Sequence, residues 1–186
     1  FAIEVSSASA GSEQQQQVPT TYYVHKCILA FAGERKSEYF ERLFGTALSV
    51  RENVEAVSKI ELAPAVAAAF PTMLDYIYFP FVLHPGKKDI ELSTSNAVPL
   101  RVLSKYFGVR ALLKLVNSFI NADLSEETCI QYMCNAEECN NVQLISVATE
   151  VSAKHFGRIE SITCLSLTPE RLQRIVNAES FNAGTD

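Results

Sequence analysis

Tyr22-Tyr-Val-His-Lys-Cys-Ile-Leu-Ala30 and, a few residues on, Ser37-Glu-Tyr-Phe-Glu-Arg-Leu-Phe44 decide how the rest of the chain is read. Tyr22 to Val24 suits a short strand, because aromatic and β-branched side chains pack well on a pleated surface. His25 to Phe31 and Ser37 to Phe44 read as two short helices. In the second, Tyr39, Phe40, Leu43 and Phe44 recur at helical spacing, and Ser37 stands where an N-cap hydroxyl is needed. Both helices are expected to turn an apolar face to a core. Upstream, Phe1-Ala-Ile-Glu-Val5 alternates apolar and polar residues at period two, as a half-buried strand does. Between the strands, Ser6 to Thr21 is rich in Ser, Ala and Gln, with four consecutive glutamines at Gln14 to Gln17 and no apolar period. It reads as a flexible insertion joining two antiparallel strands. Closing it costs about 2.5 kcal/mol, which strand pairing can absorb.

Downstream, the polar stretch Gly45 to Ser58 leads to Lys59-Ile-Glu-Leu62, a third strand closed by Ala63-Pro64. Phe70, Met73, Leu74 and Ile77 then place a helix from Val66 to about Tyr78, with Pro71 expected in its first turn, where its missing N–H does no harm. Asp89 to Leu92 reads as one more short strand, and Ser95 as the cap of the next helix. Leu100, Val102, Leu103, Tyr106 and Phe107, then Val109, Leu112, Leu113, Val116, Phe119 and Ile120, describe two helices turning at Gly108. Past Asn121 the pattern is wholly helical. Ser125 caps a helix bearing Ile130, Met133 and Cys134; Val142 to Phe156 forms another; Thr168-Pro169-Glu170 gives the last a capping hydroxyl, an N1 proline and a first-turn acid. The expectation is an α+β unit over 1–121, with the insertion at 6–21, followed by an all-α unit over 122–186.

Composition narrows the function. In 186 residues, 48% are apolar and 20% charged, enough to bury a core. With a net charge of -5 and scattered Lys and Arg, the chain lacks the basic stripe that phosphate backbones require, so nucleic acid is not an expected ligand. Apolar runs such as Ala63 to Phe70 fall short of the ~20 residues that cross a bilayer, so no membrane partner is expected. The odd cysteine set Cys27, Cys129, Cys134, Cys139 and Cys164 lies within apolar patterns and no glycosylation sequon is present, pointing to a reducing compartment, cytoplasm or nucleus. A start at Phe1, already inside a strand pattern, suggests missing flanks.

Chemistry finds little support. Seven glycines form no dinucleotide fingerprint, phosphate loop or nucleophile elbow. His25, His84 and His155 have no ligand partner three or four residues away. Cys129, Cys134 and Cys139 are spaced by five, which rotates each thiol ~140° from the last on a helix, so no metal site is expected. Cys27, beside Ile28 and Leu29, reads as a buried structural thiol in preference to a hydrolase nucleophile. Glu126-Glu127 and Glu137-Glu138 read as solvated helix ends. No catalytic, cofactor or metal residue is assigned, and the chain reads as a protein-interaction module.

The two opening segments resemble the start of BTB (POZ) domains, in which a strand ending in apolar-x-His-Lys enters a Leu-Ala helix and then a Ser-x-x-Phe-x-x-x-Phe helix. The likeness continues through Lys59-Ile-Glu-Leu62, through Phe70-x-x-x-Leu-Asp-Tyr-Ile-Tyr78 and through Leu103 to Ile120, covering Phe1 to about Asn121. Departures are confined to lengths, at Ser6 to Thr21, Gly33 to Lys36 and Gly45 to Ser58. From Ala122 the helices resemble the three-box and BACK region of cullin-3 ubiquitin-ligase substrate adaptors, including Leu-Ser-Leu-Thr-Pro-Glu at Leu165 to Glu170.

The resemblance implies a homodimer formed through the first helices and N-terminal elements, and a cullin-binding face formed after the Phe44 position together with the three-box. Many such adaptors carry an apolar residue, any residue, then Glu in that loop. Direct counting from Phe44 lands on Leu48-Ser49-Val50, which lacks the acid, whereas Val50-Arg51-Glu52 satisfies the pattern two residues later. The implied partner-binding residues are therefore Val50, Arg51 and Glu52, with Leu48 as the alternative anchor. The implied partners are a cullin-3-type scaffold, a second copy of the chain, and a substrate held by a region outside it. The rival expectation is a dimeric scaffold or corepressor platform with no ligase attached.

Overall fold

The computed structural model describes residues 1–7, 18–45, 55–82, 89–159, 163–164 and 167–182. Contacts divide the chain into two compact units, one built from Phe1–Leu92 and Pro99–Val116, the other from Ser93–Val98 and Asn117–Asp186.

In the first unit, strands β1 (Ala2–Ser7), β2 (Thr20–Tyr23) and β3 (Val57–Leu62) form one sheet in the order β2-β1-β3. β1 runs antiparallel to β2, with Ala2 opposite Tyr23 and Val5 opposite Thr20, and parallel to β3, with Ala2 beside Val57 and Ser7 beside Leu62. The period-two pattern works as expected: Ile3 and Val5 of β1, with Ser58, Ile60 and Leu62 of β3, face inward. The insertion is shorter than its sequence boundary, because Ser6, Ser7, Thr20 and Thr21 all belong to strands. Polar side chains at an exposed strand end carry no apolar period yet still pair through the backbone.

Helices α1 (Lys26–Phe31), α2 (Glu38–Gly45) and α3 (Pro64–Tyr78) complete this unit with the C-terminal part of α4 (Thr94–Phe107) and the N-terminal part of α5 (Arg110–Asp123). Leu29, Phe40, Phe70, Met73, Ile77, Leu103 and Phe107 are fully buried and form its core. Rings dominate the packing. Phe40 stacks on Phe107 with centroids 5.5 Å apart, and Phe70 meets Phe107 edge-on at 5.5 Å.

Three readings are corrected here. Pro71 lies in the interior of α3, not in its first turn; that position is taken by Pro64. An interior proline costs about 3 kcal/mol. The helix persists because Val66, Ala69 and Phe70 before it and Met73, Leu74, Tyr76 and Ile77 after it are all buried, at about 1.5–3 kcal/mol for each large side chain. Asp89 to Leu92 is not a strand; Asp89 instead holds the guanidinium of Arg35 in a two-pronged ion pair. Ser95 does not cap α4. The first helical bonds run to the carbonyl of Ser93, and Asn96 Oδ1 accepts the Ser93 N–H at 2.9 Å.

The second unit carries α6 (Cys129–Glu138), α7 (Val142–Lys154) and α8 (Pro169–Val176), making eight helices among the described residues. Asn140, at φ 52°, lets the chain turn from α6 to α7. Asn141 then caps α7 by accepting the Leu144 N–H at 3.3 Å. Thr168 caps α8 as read, accepting the Arg171 N–H at 3.4 Å. Tyr132, fully buried, donates to Asp123 Oδ2 at 2.7 Å; Thr94 Oγ1 donates to the same oxygen at 2.8 Å. Among the described residues, no helix is long and apolar enough to cross a membrane.

Candidate protein-interaction surfaces

The first unit presents two kinds of surface. Around the first elements, Tyr23 and Phe31 are 86% and 67% exposed, unusual for side chains of that size. Cys27, read from its apolar neighbours as buried, is exposed as well. The reason is helical phase: α1 turns Leu29 and Ala30 inward and thereby sends Cys27 and Phe31 outward.

The second surface lies where α2 meets the α4–α5 turn. Ser37 caps α2 by accepting the Phe40 N–H at 3.3 Å, and its hydroxyl donates to the Phe107 carbonyl at 2.6 Å. Gly108, at φ +66°, turns the chain immediately after that carbonyl. This brings Tyr39, Arg42 and Leu43 of α2 beside Lys105 and Tyr106 of α4, around a groove of about 430 Å³. The rings of Tyr39 and Tyr106 stack with centroids 6.0 Å apart, and Tyr106 remains 55% exposed. Periodicity alone places Tyr39 and Tyr106 on core-facing stripes, so the groove was not legible; the only signal for it was the pair of cations, Arg42 and Lys105, interrupting those stripes.

The sequence-derived partner residues Leu48, Val50, Arg51 and Glu52 lie outside the described residues, as does His84. His25 is bound to Tyr78, whose hydroxyl accepts the His25 N–H at 2.7 Å. His155 Nδ1 lies 3.4 Å from Glu126. Among the described residues no group of three or more potential ligands converges to hold a metal ion. Burial pushes the thiols of Cys129 and Cys134 up and that of Cys139 up to about 11, keeping them protonated at neutral pH, the opposite of a nucleophilic thiolate. Glu137, read as a solvated end, is clasped by Arg171, whose Nε donates at 2.7 Å, and by Arg174.

A small mixed sheet capped by helices, with exposed aromatic side chains on its first elements, is what a protein-interaction module presents. Residues 16–124 match the BTB/POZ domain family, and the chain belongs to it. BTB domains mediate homo-oligomerisation and partner binding and are not catalytic. No curated protein matches the chain significantly.

Proposed function

We propose that the chain is a substrate-adaptor subunit of a cullin-3-type ubiquitin ligase, acting as a homodimer in a reducing intracellular compartment. The observation that carries the reading is the sequence order. A BTB domain matched over 16–124 holds Val50-Arg51-Glu52 shortly after α2, and it is followed by the helices α6, α7 and α8. Residues 1–121 are then the BTB domain, and 122–186 are the three-box and the start of a BACK region. Val50, or Leu48 in its place, would supply the desolvated apolar anchor that dominates such interfaces, and Glu52 with Arg51 the polar contacts around it. Self-association is supported by the exposed Tyr23 and Phe31 on the first elements, where the family forms its dimer face. The same two residues equally favour a second reading, a dimeric scaffold or corepressor platform without a ligase.

Titration with the cullin N-terminal domain, with light scattering to give the stoichiometry, separates the two. Micromolar or tighter binding that is lost in Val50→Asp, with the thermal transition unchanged, supports the adaptor. A dimer that does not bind the cullin supports the scaffold.

A further inference from the structure

Thr168-Pro169-Glu170-Arg171 starts α8 and carries a second pattern as well. Of the seven prolines in the chain only Pro169 follows a serine or threonine, and a cation, Arg171, stands three residues after Thr168. Thr-Pro-x-Arg is the order in which proline-directed protein kinases read a substrate. The proline fixes the backbone beside the acceptor and offers no N–H, and the cation answers acidic groups on the enzyme.

The hydroxyl is presented as such an enzyme needs it. Thr168 is exposed and extended, at φ -71° and ψ 156°, the conformation to which a residue before proline is held. Its cap bond, from the Arg171 N–H to Oγ1, is long at 3.4 Å, so the oxygen is lightly held. Ile175 is the residue that α8 buries, while Leu172 and Val176 are 40% and 45% exposed. A helix this short is marginal without its packing, so its first turn opens locally at small cost and lets a kinase take residues 167–171 in extended form.

A phosphate on this oxygen would meet an existing ion pair. Arg171 Nε donates to Glu137 at 2.7 Å, and Arg174 joins the same carboxylate. Phosphothreonine carries about -1.5 to -2 charges at neutral pH against one on Glu137, and its position is one helical turn from Arg171. Glu170, which accepts a hydrogen bond from the Thr168 hydroxyl, would be repelled by it.

We propose that Thr168 is a phosphorylation site for a proline-directed kinase, and that its phosphate draws Arg171 away from Glu137 and so loosens the tie between α8 and α6. In the reaction Thr168 Oγ1 attacks the γ-phosphorus of ATP, the bond from that phosphorus to the bridging oxygen breaks, ADP leaves, and the hydroxyl proton passes to the catalytic aspartate of the kinase. None of the residues given to the cullin or dimer contacts takes part, so the inference stands whichever reading of the chain holds.

The test is incubation of the full chain with a cyclin-dependent kinase, magnesium and ATP, read by intact mass and fragment sequencing. A single phosphoryl group is expected on Thr168. It should be absent from Thr168→Val and retained in Thr168→Ser, which keeps both hydroxyl and cap. The initial rate should fall more than about tenfold in Pro169→Ala. A synthetic peptide of residues 163–177 checks that the kinase accepts the sequence. Phosphorylation of the peptide but not of the folded chain, or of neither, overturns the site. The Glu137 carboxyl, which burial raises but the two arginines hold below 4.5, should titrate higher in the phosphorylated chain when followed by NMR, and unphosphorylated Arg171→Gln should show the same direction. An unchanged Glu137 titration on phosphorylation overturns the exchange of partners.

Discussion

The hydroxyl of Ser37 donates to the main-chain carbonyl of Phe107, 2.6 Å away and seventy residues on, and both groups are buried. One oxygen therefore starts α2, by accepting the Phe40 N–H, and also ends α4. Ser37→Ala removes a cap worth about 1 kcal/mol and leaves a buried carbonyl unpaired at about 1–3 kcal/mol more. A loss of about 2–4 kcal/mol is expected in equilibrium urea unfolding. A loss under about 0.5 kcal/mol would show that the bond is not made in solution.

Gly108 and Gly33 both adopt positive φ, +66° and +61°, but their surroundings differ. A Cβ on Gly108 would sit 2.8 Å from Glu38 Cβ, whereas one on Gly33 meets nothing within 4 Å. Gly33→Ala should cost only the left-handed strain, about 1–2 kcal/mol. Gly108→Ala adds a collision of the α4–α5 turn with Glu38 of α2 and should cost at least about 3 kcal/mol. Thermal melts of the two variants, compared side by side, check the order; equal shifts would refute it.

The Glu137 clasp predicts acid lability in the second unit. Burial works to raise the Glu137 carboxyl, but hydrogen bonds from Arg171 and Arg174 outweigh it, and its pKa lies below the ordinary 4.5. A lowered carboxylate pKa gives stability that is complete above the unfolded value and is lost as pH falls through the folded one. Protection of the α8 amides from hydrogen exchange, taken relative to the intrinsic rate at each pH, should therefore be unchanged between pH 7 and 5 and should fall below about pH 4. Glu137→Gln should show the faster exchange already at pH 7. If wild type and variant exchange α8 alike at pH 7, the clasp does not hold the helix.

Most of the scaffold was legible in the sequence because local rules agreed with the packing. The alternation in Phe1 to Val5, the Ser37 cap, the Gly108 turn and Thr168-Pro169-Glu170 each state in a few residues what the chain does there. Two of the misreadings have a common cause, which is long-range packing overriding a local preference. Pro71 is tolerated because seven buried neighbours outweigh one lost bond, and Cys27 is exposed because Leu29 and Ala30 set the phase of α1. The surfaces were harder to read than the core. Tyr106 has the same periodicity as the buried Phe107 beside it, and no one-dimensional pattern reports that α2 stops short of covering it.

Arg35 illustrates the same limit and yields the last prediction. The residues Gly33 to Lys36 read as a length change in a loop, yet Arg35 joins three parts of the first unit. Its guanidinium lies 4.5 Å from the centre of the Tyr76 ring, donates to the Tyr76 carbonyl at 3.1 Å, and grips Asp89 with both Nη atoms, the Nη2 contact at 2.5 Å. A lysine carries the same charge but has neither the planar fork nor the flat face to stack. Arg35→Lys should therefore recover less than half of the stability lost in Arg35→Ala. A double-mutant cycle with Asp89→Asn should give a coupling of about 1 kcal/mol, modest because the Asp89 side chain is 40% exposed. Full rescue by lysine would mean that charge alone holds the contact, and a coupling near zero would mean that the pair contributes nothing to stability.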